Sequence, residues 1–323
     1  MKKWKKYVMA CTAAAAVSLT ACAKTEPQKQ PEISQEQESL EVSEEKEITP
    51  QEAITAAALK LADVDSLDAT ITVGLGLKVL GQQFDATALL DMTTFQSPMK
   101  MKADLSLDLG ILGTNKLQIY AIEKEGRYGL YFCNAGSWTR QEVQAIDLKK
   151  YNGQKVMNIY LDKIGNLSAD GKETLEGTEA SRYSGVIHGD TLMELFANSG
   201  ISDSMNVLMA NDVLKPLGAL LSNHEELIAE IFENAKDIPV SLWIDDASGY
   251  PVKCSMDITD IVSRVFLEIN KNSTDKVSTA NILSEISISE TNITVECQNF
   301  NESEDFTIPA KALTAKDMGS LPE

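Results

Sequence analysis

The chain has few of the residues on which metal and covalent chemistry depend. Its 323 residues include two histidines and five cysteines, and no two cysteines have C-x-x-C spacing. His188 and His224 stand far apart and form no H-x-x-x-H pattern, so the sequence predicts no metal site. No G-x-S-x-G sequence or glycine-rich phosphate loop occurs either. We therefore expect no catalytic residue, no metal ligand and no cofactor, and we predict that the protein is not an enzyme.

Positive charge is also scarce. Lysine and arginine together number 29 against 48 aspartate and glutamate residues, giving a formal net charge of −19. Nucleic acids and anionic lipids repel such a chain. The composition therefore excludes nucleic acid as a partner, and any membrane contact must come from something other than a basic patch.

The amino terminus has the pattern of a secretory signal peptide. Four lysines within residues 2–6 precede an apolar run that ends at Leu19. This run is shorter than the about 20 residues that cross a bilayer. The sequence Leu19-Thr20-Ala21-Cys22 resembles the lipobox of bacterial lipoproteins, in which the cysteine carries acyl chains such as palmitate and becomes the first residue. An ordinary signal peptide that happens to carry a cysteine is the alternative.

Cleavage before Cys22 predicts three segments. Residues 1–21 are the signal peptide, and their removal takes four lysines and no acidic residue, changing the net charge from −19 to −23. Residues 22–47 form a lipidated, disordered acidic tether, because they hold too few apolar residues to offset the entropy of ordering. Residues 48–323 form a single domain. We expect a monomer on the outer face of the bacterial cell membrane, anchored through the lipid on Cys22.

Hydrophobic periodicity predicts an α+β domain. Thr49, Pro50 and Glu52 give the start signals of a helix that runs to about Ala62. From Ser66 onward the period is two, most clearly over Met99–Leu109, which indicates consecutive antiparallel strands. We then expect short helices in 145–168, a hairpin through Gly177, and a helical block in 190–232. Further strands are expected at 238–244, 252–258, 282–289 and 292–299, with a helix at 260–269.

Three stretches resemble a known group of exported proteins. Trp138 follows a tyrosine-rich strand, the hairpin Ile238–Lys253 contains Trp-Ile-Asp and Tyr-Pro-Val-Lys, and the chain ends near Phe306-Thr307-Ile308-Pro309. Together they resemble the LolA/LppX-like lipoproteins, including poorly characterised ones of Gram-positive bacteria. This resemblance implies a large curved antiparallel sheet, a half-barrel, with helices packed on its concave face.

A half-barrel closed by helices has an apolar cavity by its geometry. Apolar residues on the strand faces and helical stripes are the candidate lining, and an ordinary filled core is the alternative. The candidates are Leu90, Met101, Leu105, Leu107, Phe196, Met205, Leu208, Met209, Leu217 and Phe232.

The leading functional hypothesis is an anchored extracytoplasmic lipoprotein that binds a lipid or other hydrophobic ligand in this cavity. The alternative is a surface protein-interaction module with a filled core and no small-molecule ligand. Cys133, Cys254 and Cys297 remain after the anchor. We expect them to be small buried hydrophobes on strands, with one disulfide pair as the alternative.

Overall fold

The computed structural model describes residues 48–110, 113–144, 158–192, 194–195, 230–272 and 286–317. Its strands are β1 (Ser66–Val79), β2 (Gln82–Gln96), β3 (Met99–Asp108), β4 (Thr114–Lys124), β5 (Arg127–Asn134), β6 (Ser137–Gln144), β7 (Ile164–Leu175), β8 (Thr178–Ile187), β9 (Ile238–Asp245), β10 (Pro251–Asp257), β11 (Ile286–Gln298) and β12 (Lys316–Asp317). Its helices include α1 (Pro50–Ala62), α2 (Thr259–Asn272) and α3 (Ala310–Leu313), with a 3-10 turn at Gly189–Thr191.

The start of α1 confirms the predicted capping signals. The Thr49 side chain accepts a hydrogen bond from the Glu52 N–H, and the Glu52 carboxylate accepts one from the Thr49 N–H at 2.9 Å. These two bonds satisfy amide groups that a helix start otherwise leaves unpaired. The apolar side of the helix buries Ile54, Ala57 and Leu61, so α1 packs one face against the sheet.

All strands in the described residues belong to one open sheet in the order β12-β6-β5-β4-β3-β2-β1-β11-β10-β9-β8-β7. The pairings are antiparallel except for β12, which runs parallel to β6. The predicted α+β class, with one large antiparallel sheet and helices packed on it, is confirmed. No helix in the described part of the chain is long and apolar enough to cross a membrane.

Alternation gives this sheet two different faces. On β3, Ala103 pairs with Met92 of β2 and Ile119 of β4, while its neighbour Asp104 pairs with Asp91 and Gln118. Side chains at alternate positions point to opposite sides. We call the side of Ala103 the apolar face and the side of Asp104 the polar face.

Helices and strands bury their largest core on the apolar face. Ile54 of α1, Leu242 of β9, Cys254 of β10 and Ile261 of α2 are all buried in one cluster. A second cluster of buried residues, centred on Ile119 and neighbouring side chains of β3–β5, lies on the same apolar face toward the β6 edge of the sheet. The central strands β1 and β2 lie between these two clusters.

Two predicted element boundaries are wrong. The strand predicted to begin at Lys172 begins at Ile164, because register shifts after Gly165 and Ala169 break the period-two pattern. The two strands predicted at 282–289 and 292–299 form one strand, Ile286–Gln298, with a register shift opposite Gly76 and Leu77. The helix predicted at 260–269 is confirmed as α2. Most of the helical block predicted in 190–232 lies outside the described residues.

Candidate functional site

A band of half-buried aliphatic side chains crosses the centre of the apolar face. On β1, Ile71 pairs with Leu90, and Val73, Leu75 and Leu77 pair with Ala88, Ala86 and Phe84 of β2. On the far side of β2, Leu90 and Ala88 pair with Leu105 and Leu107 of β3. We define the apolar strip by these side chains: Ile71, Val73, Leu75, Leu77, Phe84, Ala86, Ala88, Leu90, Leu105 and Leu107.

The strip differs from the clusters on either side in its exposure. Every one of its side chains is half-buried, whereas Ile119 is 6% exposed and Leu242 1% exposed. Leu90 and Leu105 touch the β3–β5 cluster at one margin. Among the described residues, the strip is therefore a half-buried part of the apolar face that lies between two closed cores.

The shape of the strip follows from residue size. Ala88 on β2 lies between Val73 of β1 and Leu107 of β3, and Ala86 lies beside Leu75. From these side-chain sizes we infer a shallow trough with an alanine floor. At a rise of about 3.4 Å per residue, the six steps from Ile71 to Leu77 span about 20 Å. A trough of this length and composition fits an extended hydrocarbon chain.

A buried hydroxyl lies beside the strip. Thr291 of β11 pairs with Leu75 on the apolar face and is only 2% exposed, and its Oγ1 has no hydrogen-bond partner among the described residues. Its N–H donates to Thr259 Oγ1 at 2.8 Å, which ties β11 to the start of α2. Sequence reasoning missed this residue, although a threonine in register with Ile293 and Val295 was the available signal.

The polar face carries a groove of its own. It has a volume of about 510 Å³ and is lined by residues that include Asp91, Asp104, Lys116, Gln118 and Cys133. Asp104 Oδ1 accepts a hydrogen bond from Gln118 Nε2 at 2.7 Å. This groove is open and charged, so it is unrelated to the apolar cavity predicted from the sequence.

The structure brings four of the ten predicted lining residues together. Leu90, Met101, Leu105 and Leu107 share the apolar face of β2 and β3. Phe232 is half-buried against the cluster of α1 and β7–β10, away from the other four. The proposed attachment residue Cys22 lies outside the described residues. So do the five remaining lining candidates, which are Phe196, Met205, Leu208, Met209 and Leu217.

Chemically reactive groups in the described residues are either dispersed or buried. No group of three or more His, Cys, Asp or Glu side chains there is placed to hold a metal ion. Cys133, Cys254 and Cys297 are free and buried, which confirms the prediction of small buried hydrophobes. Burial raises the pKa of the Cys254 thiol to about 12, and burial together with the neighbouring Cys254 raises that of Cys297 to about 12. Neither thiol is thus a nucleophile at neutral pH.

Solved structures show likenesses of fold. The chain is similar to the lipoprotein LppX of Mycobacterium tuberculosis, with 12% identity and a TM-score of 0.41 over 79% of this chain and 96% of that one. It is also similar to LprF of Mycobacterium bovis, with 12% identity and a TM-score of 0.44 over 81% and 97%. A LolA superfamily protein of Nitrosomonas europaea matches at 8% identity and a TM-score of 0.19 over 82% and 96%. LppX and LolA are the proteins that give their names to the group that the sequence resembles. No family model and no curated protein matches the chain.

Proposed function

We propose that the protein is an extracytoplasmic lipoprotein, held to the membrane by lipid on Cys22, that binds a lipid or another hydrophobic molecule along the apolar strip. The observation that carries the proposal is the strip itself. Ten neighbouring apolar side chains share one face of the sheet, and all stay half-buried between two closed cores.

Half-buried apolar side chains provide binding free energy, because a ligand that covers them removes apolar surface from water. Covering apolar surface stabilises a complex by about 25 cal/mol for each Å² removed from water. A contiguous trough lets one extended chain cover many of these side chains at once, so the gain accumulates along its length. The apolar lining without a charged group favours a hydrocarbon chain over a polar solute.

In this proposal the protein binds its ligand and does not catalyse a reaction on it. An acidic extracytoplasmic domain with unreactive buried thiols is suited to carry or present an apolar ligand. The anchor proposed at Cys22 keeps the domain near the outer face of the cell membrane, where such ligands are found. The protein acts as a monomer in this proposal.

The test compares two neighbouring tryptophan substitutions in the full chain. Ala88→Trp fills the floor of the strip, whereas Thr87→Trp adds the same ring to an exposed position of the polar face. Protein purified without detergent is examined by native mass spectrometry, and its affinity for a fluorescent fatty acid is measured. We expect a bound ligand or uptake in the wild type and in Thr87→Trp, with loss of binding in Ala88→Trp.

Two results would overturn the proposal. One is a wild-type protein that carries no extractable ligand and takes up no fluorescent lipid, which would favour the interaction module with a filled core. The other is equal binding by both tryptophan variants, which would place the ligand away from the strip.

A further inference from the structure

Four hairpins of the sheet use the same two-residue turn, and one of them has an anomalous residue. Their loops are Leu80-Gly81, Glu125-Gly126, Ala135-Gly136 and Glu176-Gly177, and every residue in them has positive φ. This is the type I′ pattern, whose first position favours asparagine, aspartate or glycine. Leu80 has a φ of 52° and is 68% exposed, so a leucine there is disfavoured both by its backbone and by its solvation.

The strand register places Leu80 at one end of the sheet. Consecutive antiparallel pairing puts the β1–β2 turn, the β3–β4 loop and the β5–β6 turn at the same end. The β3–β4 loop contains Leu109, which is 43% exposed. The loop lies beside the β1–β2 hairpin, because an added Cβ on Gly110 would stand 3.3 Å from the Asp85 carbonyl oxygen. We call this the leucine end.

The opposite end of the sheet carries acidic turn tips. The turns β4–β5, β7–β8 and β9–β10 lie there, and their exposed residues include Glu125, Glu176 and Asp246. We call this the acidic end. The described residues at the leucine-end turn tips, Leu80-Gly81, Leu109-Gly110 and Ala135-Gly136, carry no charge. Exposed acidic residues, among them Asp108 and Glu290, lie beside these tips, so the two ends differ in their exposed leucines and not in the sign of their charge.

We propose that the leucine end docks onto a lipid bilayer, with Leu80 inserted among the acyl chains and Leu109 at the interface. Exposed apolar side chains gain free energy on leaving water for hydrocarbon. The described turns at the acidic end expose no large apolar side chain, so insertion favours the orientation with the leucine end toward the bilayer.

The leucine end is continuous with the apolar strip. Leu77 and Phe84 pair with each other three residues from either side of the β1–β2 turn, so the trough runs out toward the hairpin that carries Leu80. A docked hairpin therefore gives a hydrocarbon chain an apolar route between bilayer and strip. In this respect the inference rests on the proposed function, whereas docking itself does not.

The tether proposed for residues 22–47 is long enough to permit this orientation. The 26 residues from Cys22 to Glu47 have a typical end-to-end distance of roughly 30 Å when flexible. An anchor of this length keeps the domain close to the bilayer but does not fix its direction. The hairpin tips then supply the orientation.

The test places an environment-sensitive nitrobenzoxadiazole label at equivalent positions of two hairpins. Gln82 and Thr178 are both exposed and both follow an X-Gly turn, one at the leucine end and one at the acidic end. Each is replaced by cysteine in a full chain that also carries Cys11→Ser and Cys22→Ser, so that the remaining native cysteines, Cys133, Cys254 and Cys297, are buried. The labelled proteins are added to phosphatidylcholine vesicles with and without doxyl-labelled acyl chains.

We expect a blue shift and doxyl quenching for the label at Gln82→Cys, and neither for the label at Thr178→Cys. Adding Leu80→Glu to the Gln82→Cys protein should abolish both signals, whereas adding Glu176→Leu to the Thr178→Cys protein should create none. Equal signals from the two labels, or quenching that survives Leu80→Glu, would overturn the inference. A blue shift that depends on protein concentration and needs no vesicles would assign the tip to self-association and would also overturn it.

Fatty-acid binding measured without vesicles separates this inference from the proposed function. Lost quenching with intact fatty-acid binding in the Leu80→Glu protein supports both. Vesicle quenching of the label at Gln82→Cys in a protein that binds no fatty acid would leave the docking surface in place and refute the ligand site.

Discussion

Cys254 on β10 and Cys297 on β11 lie on the same face of the sheet, two positions apart in register. Cys254 pairs with Val295, so the two thiols are diagonal neighbours rather than direct partners. Diagonal neighbours in a sheet are about 7–8 Å apart, which exceeds the usual Cα separation of a disulfide. Both thiols are free and buried, and their role is to fill space between α1, β1 and β9–β11.

These thiols predict a loss of stability at alkaline pH. Each has a pKa raised to about 12 in the folded chain, against about 8.5 when unfolded. Below pH 8.5 both states are protonated and the contribution to stability is complete. As pH rises toward 12, only the unfolded thiols lose protons, so stability falls by about 1.4 kcal/mol per pH unit for each thiol.

Urea unfolding between pH 7 and pH 10.5 checks this prediction. The free energy of unfolding of the wild type should fall more steeply than that of Cys254→Ala/Cys297→Ala, which lacks both groups. The native protein should also react with a thiol reagent only after unfolding. Parallel slopes, or rapid labelling of the folded protein at pH 8, would contradict the assignment.

Gly189, just after the end of β8, lies so close to the backbone of Ala235 that we expect no larger residue to fit there. An added Cβ there would stand 1.9 Å from the Ala235 carbonyl oxygen, and backbone atoms cannot move aside as a flexible side chain can. The Gly189 N–H also donates to Asp237 Oδ1 at 3.2 Å. We expect Gly189→Ala to lower the free energy of unfolding by about 2 kcal/mol or more.

Gly74 is the matched control. It lies in β1, its φ is not positive, and an added Cβ would meet no atom within 4 Å. Gly74→Ala should change the free energy of unfolding by no more than about 0.5 kcal/mol. A Gly189→Ala protein as stable as Gly74→Ala would show that β8 and residues 235–237 are not packed as described.

A contact between a lysine and two aromatic rings predicts that the segment after β11 stabilises the fold. Lys100 lies 4.5 Å from the centroid of the Phe95 ring and 5.1 Å from that of Phe306, and it forms an ion pair with Asp305. Phe306 also packs edge-on against Tyr120 at 5.8 Å. Residues 299–309 therefore cross the polar face from β11 toward β4, joined to it by aromatic contacts.

Phe306→Ala should loosen this crossing. Because Phe306 is half-buried, we expect a loss of about 1–2 kcal/mol, less than for a fully buried phenylalanine. Limited proteolysis should cut the variant earlier within residues 299–309. Thr307→Ala, at an exposed neighbouring position, should behave as the wild type, and equal cleavage of all three proteins would refute a stabilising role for the ring.

The alternation of apolar and polar residues was enough to predict a strand wherever that strand has one apolar and one polar side. β3 is the clearest case, because Met101, Ala103, Leu105 and Leu107 alternate with charged or small polar residues and predict both its bounds and its apolar face. β7 could not be predicted in full, because two bulges move its side chains out of a strict period of two. The sequence in isolation does not reveal a bulge, since its cause is the pairing with β8.

The candidate site was predictable only in part for a related reason. Leu90 and Leu105 could be assigned to strand faces from their spacing, but their pairing depends on register. Thr291 was missed because a hydroxyl on an apolar face breaks the pattern used to find that face. Leu80 was missed because exposure of a leucine at a turn follows from tertiary structure, and the sequence Val79-Leu80-Gly81 also fits the end of a strand.

A network on the polar face gives the last prediction, an acid-sensitive environment for Trp243. Its Nε1–H donates to Glu173 Oε2 at 2.9 Å, and Arg182 Nη1 donates to Glu173 Oε1 at 3.0 Å. These two hydrogen bonds, that from Trp243 being the larger cause, lower the pKa of Glu173 below its usual value. Its contribution to stability is therefore present above the unfolded pKa of about 4.3 and is lost as pH falls through the folded value.

Tryptophan fluorescence of a Trp4→Phe/Trp138→Phe protein, whose remaining tryptophan is Trp243, is read between pH 6 and pH 2.5 and follows this loss. We expect the Trp243 emission to change with a midpoint below pH 4.3, because protonated Glu173 no longer holds the indole N–H and the guanidinium in one arrangement. Glu173→Gln should show the acid form of the spectrum already at pH 6. Glu176→Gln, in the exposed β7–β8 turn, should leave the midpoint unchanged, since Glu176 is not hydrogen-bonded to Trp243. An unshifted midpoint in Glu173→Gln would place the acid-sensitive group elsewhere, with Asp170 beside Arg182 as the next carboxylate to replace.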